Sequence, residues 1–203
     1  MFTAVFGSDR LSQERSRISW QLKLLMLLLL LMTLAVAMLL YRYSLRQQRM
    51  QRFDAEIAEA ARRHGISFSL VKAVIMQESR FDPLATGGAG EIGLMQLMSG
   101  AVQDWQRHHR REVAHPGLLY NPRLNVEIGT WYLARALRTW HEYRDAEVLA
   151  LAQYNAGGSR AKAWAPPDPR ENALSRVSFP GTRQYIINVL KYRTMFEQDY
   201  HER

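Results

Sequence analysis

Seventeen consecutive uncharged residues, Leu24 to Leu40, constrain this chain more than any other feature. As a helix rising about 1.5 Å per residue the run covers about 26 Å, close to a bilayer hydrocarbon core of about 30 Å. Lys23 and Arg42 flank it, where long side chains can reach headgroups, and Trp20, Tyr41 and Tyr43 suit the interface. Two fates are open. The run is a retained transmembrane anchor, or it is the apolar centre of a cleaved leader with Ala35-Val36-Ala37 as the processing site. Met38-Leu39-Leu40 are apolar where a processed terminus is usually polar, which favours the anchor. Charge does not orient it: Arg10, Arg15, Arg17 and Lys23 precede the span, and Arg42, Arg46, Arg49 and Arg52 follow it.

The remainder of the 203 residues is enough for one domain, and a hydrophobic content of 47% supports a packed core. The chain has no cysteine, which excludes disulfides and thiolate metal sites. The net charge of +8 comes from basic residues around the span and at Arg107, His108, His109, Arg110 and Arg111. No nucleic-acid-binding motif accompanies them, so they read as headgroup attraction and a solvated face, one that also suits an acidic glycan. The expected organisation is a cytoplasmic tail (1–23), a transmembrane span (24–41), a basic connector (42–52) and one globular domain (53–203). The connector carries arginines at helical spacings, which extends the membrane helix by about 16 Å.

The domain reads as mainly helical. Phe53, Ile57, Ala60 and Ala61 form a stripe closed by Gly65. Ser67 or Ser69 caps a second helix, on which Val71, Val74, Ile75 and Glu78 share a face. Ser99 caps a helix through Val102 and Trp105. Asn121-Pro122 breaks the chain, and Asn125 starts a helix carrying Gly129, Tyr132 and Leu133. Asp145 caps a helix through Ala152, residues 165–169 form a loop, and Tyr185 to Phe196 is a final amphipathic helix. No alternating strand runs occur, although a small hairpin fits the glycine-rich turn at 87–93.

Glu78 is the strongest chemical candidate. A carboxyl on an apolar face is desolvated, which raises its pKa and lets it hold a proton near neutrality for donation to a glycosidic oxygen. The plainer reading of such a residue is a helix cap or a surface ion pair. The residues beyond it decide between the two: Glu78-Ser79 leads to Gly87-Gly88-Ala89-Gly90-Glu91-Ile92-Gly93-Leu94-Met95-Gln96. Farther on come Asn121-Pro122 with Asn125, Gly129, Tyr132 and Leu133; Ala152-Gln153-Tyr154-Asn155-Ala156-Gly157; and Thr182-Arg183 with Tyr185. In this order and spacing the chain resembles the lysozyme-like lytic transglycosylases of the soluble-transglycosylase type, over nearly all of 65–195.

The resemblance implies a helical catalytic domain of the goose-type lysozyme kind behind one transmembrane helix. It implies cleavage of the bond between N-acetylmuramic acid and N-acetylglucosamine in peptidoglycan, with Glu78 as acid and then base. The muramoyl C6 hydroxyl attacks its own C1, leaving a 1,6-anhydro end without consuming water. The substrate's acetamido group supports the cationic centre, so one carboxylate suffices. Ser79 is expected to orient Glu78, Met95 and Gln96 to line the cleft floor, and Tyr154 and Asn155 to meet the substrate, although taken alone Met95 reads as core packing and Tyr154 as a core tyrosine. Tyr185 is expected to line the cleft or pack beneath it. No cofactor is implied. The chain departs from the pattern at Gly87, where a hydroxyl residue is common, at Gly158, where a proline is common, and at Gly181, where a glutamate is common.

Other residues compete for roles. Among Asp82, Glu91 and Asp104, Glu91 is best placed to assist the acid, against the simpler reading of a solvated turn residue. His108, His109 and His115 match no metal-ligand spacing. Ser79 lacks the partners of a nucleophilic triad. Trp131 and Trp140 read as core, and Trp164, beside a proline loop, as cleft rim. Two other functions stay open: a hydrolytic muramidase using the same acid, and a weakly active glycan-binding scaffold of an envelope-spanning machine. The expected partners are peptidoglycan strands and, through the helix, the bacterial inner membrane, with the domain outside. The short connector adds a secretion or conjugation apparatus as a candidate partner, and no nucleic acid is expected.

Overall fold

The computed structural model describes residues 6–201, with side chains from Trp20 to Asp199. Two units make up the chain, Met1–Gln48 and Arg49–Arg203. In the first, helix α1 (Phe6–Gln51) runs without a break through the expected span and on into the connector, so no turn separates tail, span and basic segment between residues 6 and 51. Residues 1–5 of the expected tail lie outside the described residues, as do the side chains of Arg10, Arg15 and Arg17. Every side chain from Trp20 to Arg46 is exposed, including the whole apolar run. A helix that is apolar all round and uncovered matches lipid as its solvent. By length and composition α1 can cross a membrane.

The second unit is built around α3 (Phe68–Glu78), in which every residue from Ser69 to Met76 is buried. Each fully buried Leu, Ile or Val there contributes about 1.5–3 kcal/mol, which makes α3 a core helix and not an amphipathic surface one. Its start is local chemistry: Ser67 Oγ accepts from the Leu70 N–H at 3.4 Å. Before it, α2 (Asp54–His64) buries Ile57, Ala60 and Ala61 and ends at Gly65 in the left-handed conformation (φ +68°), as the sequence pattern predicts. Lys72 is buried within α3, bonded to Asp54 Oδ1 at 2.6 Å and seated over the rings of Phe68 and Phe196.

Helices α4 (Ser99–His109), α5 (Pro122–Thr139), α6 (Ala146–Ala156), α7 (Gly158–Trp164) and α8 (Pro180–His201) complete the unit. The α3 helix packs most extensively on α8 and also on α2; α5 lies against α2, α4 and α6; α6 touches α7 and α8. Among the described residues there is no strand. The expected hairpin is reduced to two isolated antiparallel bridges, Thr86 with Ile92 and Ile92 with Leu97.

Several boundaries differ from the sequence expectation. Ser99 is the first residue of α4, with Met98 ahead of it and no side-chain cap. Asp145 precedes α6 but gives its carboxylate to the Ala173 N–H at 2.9 Å, because a distant loop supplies a nearer donor. The last helix begins at Pro180 and reaches His201. Helix α7 and two short 3₁₀ turns, Pro116–Tyr120 and Leu174–Arg176, carry too little periodicity to be read in advance.

Asn125 is the most instructive difference. Asn121 caps α5, accepting from the Leu124 N–H at 3.1 Å, and Pro122 takes the first helical position. Asn125 is instead fully buried inside the first turn. Its Nδ2 donates to the Ile92 and Leu119 carbonyls, and its Oδ1 accepts from the Met95 N–H, all at 2.8 Å. One amide therefore ties the 85–97 loop to α5. Gly93 (φ +78°) makes room for it, since a Cβ there would lie 2.3 Å from Asn125 Nδ2. Replacing Asn125 by Ala strands two buried backbone groups, the Met95 N–H and the Leu119 carbonyl, while the Ile92 carbonyl keeps the Leu97 N–H at 2.9 Å; unpaired buried groups cost about 1–3 kcal/mol each. The expected loss for Asn125→Ala is about 2–4 kcal/mol, read from urea unfolding of the full chain in detergent; a loss below about 1 kcal/mol would contradict the bracing role.

Candidate active site

Glu78 stands where α3 runs out of buried face. The Ser79 N–H and Oγ both donate to the Ile75 carbonyl, at 3.0 and 3.3 Å, closing the helix. Arg80 and Phe81 then adopt left-handed backbone (φ 52° and 63°), uncommon for side chains of this size. Burial of Phe81, edge-on to Phe196, compensates this strain. The sharp reversal leaves the Glu78 carboxyl at the tip of a core helix, half-buried.

From α8, Tyr185 donates its hydroxyl proton to Glu78 Oε1 at 2.7 Å. Burial pushes the Glu78 carboxyl up to about 7; the Tyr185 hydrogen bond opposes that rise and the negative charge of Glu91 adds to it. Both nearby phenols, Tyr185 and Tyr154, are raised well above their ordinary value, first by burial and then by the Glu78 charge, so they remain protonated donors. Tyr154, on α6, donates to the Met95 carbonyl at 2.8 Å and meets the ring of Tyr132 edge-on.

The expected site residues divide in two. Glu78, Tyr154, Tyr185 and Asn155 come together. Asn155 is exposed and accepts from Thr182 Oγ1 at 2.8 Å. With Gln77, Phe179, Tyr185 and Asn188 it borders a hollow of about 590 Å³. The other residues act from beneath. Ser79 does not bond Glu78; its hydroxyl closes α3. Met95 is completely buried, its sulfur pressed on α5 where a Cβ on Gly129 would lie 2.4 Å away, so it supports the cleft floor without lining it. Gln96 (φ 45°) turns its Nε2 inward to the Ala85 and Gly93 carbonyls, at 3.1 and 2.9 Å, leaving only its oxygen outward.

Trp164 is buried and bonded to Ser178, so it is not the rim; the rim aromatic is Phe179, which leans on Trp164 and lies under Arg160. An aromatic followed by Pro180 at a helix start was the available signal for it. Trp131 and Trp140 are core, as expected. Asp104 is held by Arg107 and Arg135 away from the acid, whereas Glu91 is near enough to act on Glu78. His109 stacks on Trp105, and His115 caps the 3₁₀ turn. A larger hollow of about 650 Å³ lies among α2, α4 and the start of α5, but Glu59, Arg63, His64, Arg123 and Glu127 in it pair with one another and it holds none of the residues around Glu78.

A helical frame whose central helix ends on one proton-holding carboxyl defines a lysozyme-like domain, and the comparisons agree. The Transglycosylase SLT domain model matches residues 55–173, more than half of the chain, and the chain belongs to that family. It is 34% identical over 132 residues to the soluble lytic murein transglycosylase of Salmonella typhimurium, covering 63% of this chain and 20% of that relative's length. The membrane-bound lytic murein transglycosylase C of Salmonella arizonae is 29% identical over 148 residues, covering 69% of this chain and 41% of that one. An inactive mutant of lytic transglycosylase Slt from Pseudomonas aeruginosa superposes with a TM-score of 0.67 at 31% identity, over 74% of this chain and 25% of that one. The 70-kDa soluble lytic transglycosylase in complex with bulgecin A gives 0.67 at 26% identity, again over 74% of this chain and 25% of that one. The chain thus spans a minor part of these relatives.

The raised carboxyl has a stability consequence. In the unfolded chain Glu78 ionises near 4.5, and in the fold only near 7. The protonated form is the one the fold favours, so stability is full below about 4.5 and falls as pH rises towards 7. Glu78→Gln removes that loss. The variant should be more stable than wild type by about 1–3 kcal/mol at pH 8 and no more stable at pH 4. Equal melting differences at the two pH values would contradict the assignment.

Proposed function

We propose that the chain is a membrane-anchored lytic transglycosylase that cuts peptidoglycan between N-acetylmuramic acid and N-acetylglucosamine without water. The observation that carries this reading is the Glu78 carboxyl, ionising near 7 and held through Oε1 by Tyr185. With Oε1 engaged, the other oxygen is left for the substrate. The protonated group gives its proton to the glycosidic oxygen as the bond from C1 to that oxygen breaks. The Glu78 carboxylate then takes the proton of the muramoyl C6 hydroxyl as that oxygen bonds C1. Proton and acid are restored, and the product ends in a 1,6-anhydro ring. A carboxyl that titrates near neutrality suits both halves, being protonated for the first and basic enough for the second.

Around it, Tyr154 and Asn155 meet the sugars, with the Asn155 Nδ2 free to donate towards the hollow beside Gly181, where an acidic side chain is absent. Tyr185, Ser79 and Met95 are positioning residues, holding respectively the carboxyl, the helix end and the Tyr154 phenol.

The full chain in detergent micelles, incubated with purified peptidoglycan and read by mass spectrometry, should release anhydromuramoyl ends. Glu78→Gln should lower their yield by at least about 10³-fold, since both proton transfers are lost. Reducing muramoyl ends would identify a hydrolytic muramidase, and no cleavage by the folded chain would favour a glycan-binding scaffold.

We infer further that α1 is retained in the inner membrane as a single span, with the amino-terminal side cytoplasmic and residues 53–203 facing the cell wall. The unbroken helix through residue 51 supports a short tether, which suits cutting next to the membrane for a secretion or conjugation apparatus. Inserting a long flexible Gly/Ser linker after Gln51 should then abolish function in cells while leaving cleavage by the purified chain intact. Full function in cells would contradict the short-tether reading.

A further inference from the structure

The 85–97 loop brings together two acceptor oxygens, Glu91 Oε2, which takes the Ala89 N–H, and Gln96 Oε1, which has no donor among the described residues. An ideal Cβ on Gly87 would lie 2.2 Å from Glu91 Oε2 and 2.9 Å from Gln96 Oε1, so both oxygens face one small volume above that glycine. Gly87 is therefore a seat for the Glu91 carboxylate, and any side chain there would displace it. The seat is built: Gly87 N–H donates to the Glu91 carbonyl at 2.8 Å, and the Ala89 N–H donates to Glu91 Oε2 at 2.9 Å. The Gln96 amide is locked in orientation because its nitrogen bonds Ala85 and Gly93. Among the described residues nothing donates to its oxygen. This loop also adjoins the acid, since the next residue back, Met95, holds the Tyr154 phenol, and that phenol feels the Glu78 charge.

Two fixed acceptors side by side repel each other until a donor enters between them. A carboxylate turned towards a glycan cleft also attracts the positive charge that develops at C1 during cleavage. We propose that Glu91 is a second functional carboxylate of the cleft, which with Gln96 Oε1 receives a sugar hydroxyl over Gly87 and stands as a fixed negative charge beside the reacting centre. This assignment rests on the transglycosylase reading for its substrate but not for its electrostatics. The groups that face Glu78 are Tyr185 from α8, Tyr154 from α6 and Glu91 from the loop; both tyrosines stay neutral, so Glu91 supplies the nearby charge. Its negative charge keeps the Glu78 proton in place to higher pH.

The test uses the full chain in detergent micelles with two variants. Glu91→Gln removes the charge and keeps the acceptor for Ala89, and Gly87→Ala keeps the charge and evicts the carboxylate from its seat. In Glu91→Gln the alkaline limb of kcat/KM on peptidoglycan should move down by about half a pH unit or more, with kcat falling about tenfold and the melting temperature unchanged. Gly87→Ala should move both in the same direction. Independently of turnover, infrared titration of the Glu78 carboxyl, taken as the difference from Glu78→Gln, should shift down in both variants. An unmoved infrared titration together with an unmoved pH limb would overturn the proposal. A wild-type chain that makes no anhydro ends would overturn the function proposed above, while the infrared titration would still decide whether Glu91 acts on Glu78.

Discussion

A carboxyl group taken out of water and given one hydrogen bond governs this domain. Full ionisation of a desolvated carboxylate costs several kcal/mol unless charges or donors compensate it. At Glu78 a single phenol, Tyr185, does so in part, and no cation is among the groups that shift it. The balance falls near neutrality instead of at either extreme. That balance requires α3 to be buried along its length, α8 to lie against it so that Tyr185 reaches Oε1, and the chain to turn away at Ser79 so that the carboxyl stays half-buried at the helix tip.

The second requirement is a loop held still without strands. Residues 85–97 have two isolated bridges and a few turn bonds, such as Gly87 N–H to the Glu91 carbonyl and Gly93 N–H to the Ala85 carbonyl, but no continuous ladder. Side-chain amides replace the missing ladder. Asn125 reaches up from α5 to three backbone groups, and Gln96 ties Ala85 to Gly93 from within the loop. Tyr154 adds a bond to the Met95 carbonyl from α6. Three elements distant in sequence therefore set the geometry of one cleft wall, and the small residues Gly87, Gly93 and Gly129 are where their side chains pass.

Charge plays different parts in the two units. In the domain, several basic residues are tied to acids on neighbouring helices, Arg63 and His64 with Glu127, Lys72 with Asp54, and Arg193 with Glu147, and Arg193 also pairs with Glu197 one turn along α8. The pair of the exposed Arg63 contributes little to stability, typically below about 1 kcal/mol, whereas the buried Lys72 needs Asp54 to offset its desolvation. Around α1 the basic residues flank a run that has no covering of its own, which is the arrangement expected at a bilayer boundary.

The sequence alone determined whatever depends on neighbours a few residues apart. The apolar run at 24–40, the Gly65 and Ser67 helix ends, the apolar stripe that closes on Glu78 and the glycine-rich turn are of this sort. Asn125 reads in sequence as a helix start because its three partners lie in other segments. The resemblance puts Met95 on the cleft floor although the residue alone reads as core, and Trp164 reads as rim, because burial follows from which helix covers a residue, and periodicity does not name the cover. Position in the motif assigns the Ser79 hydroxyl to Glu78, but the helix end offers a nearer acceptor. Tyr185 stands 107 residues from Glu78 in the chain, and no local pattern distinguishes a packing tyrosine from one that holds an acid. Only the packing of α8 on α3 decided it, because a hydrogen bond depends on direction and distance in space and both are absent from sequence order.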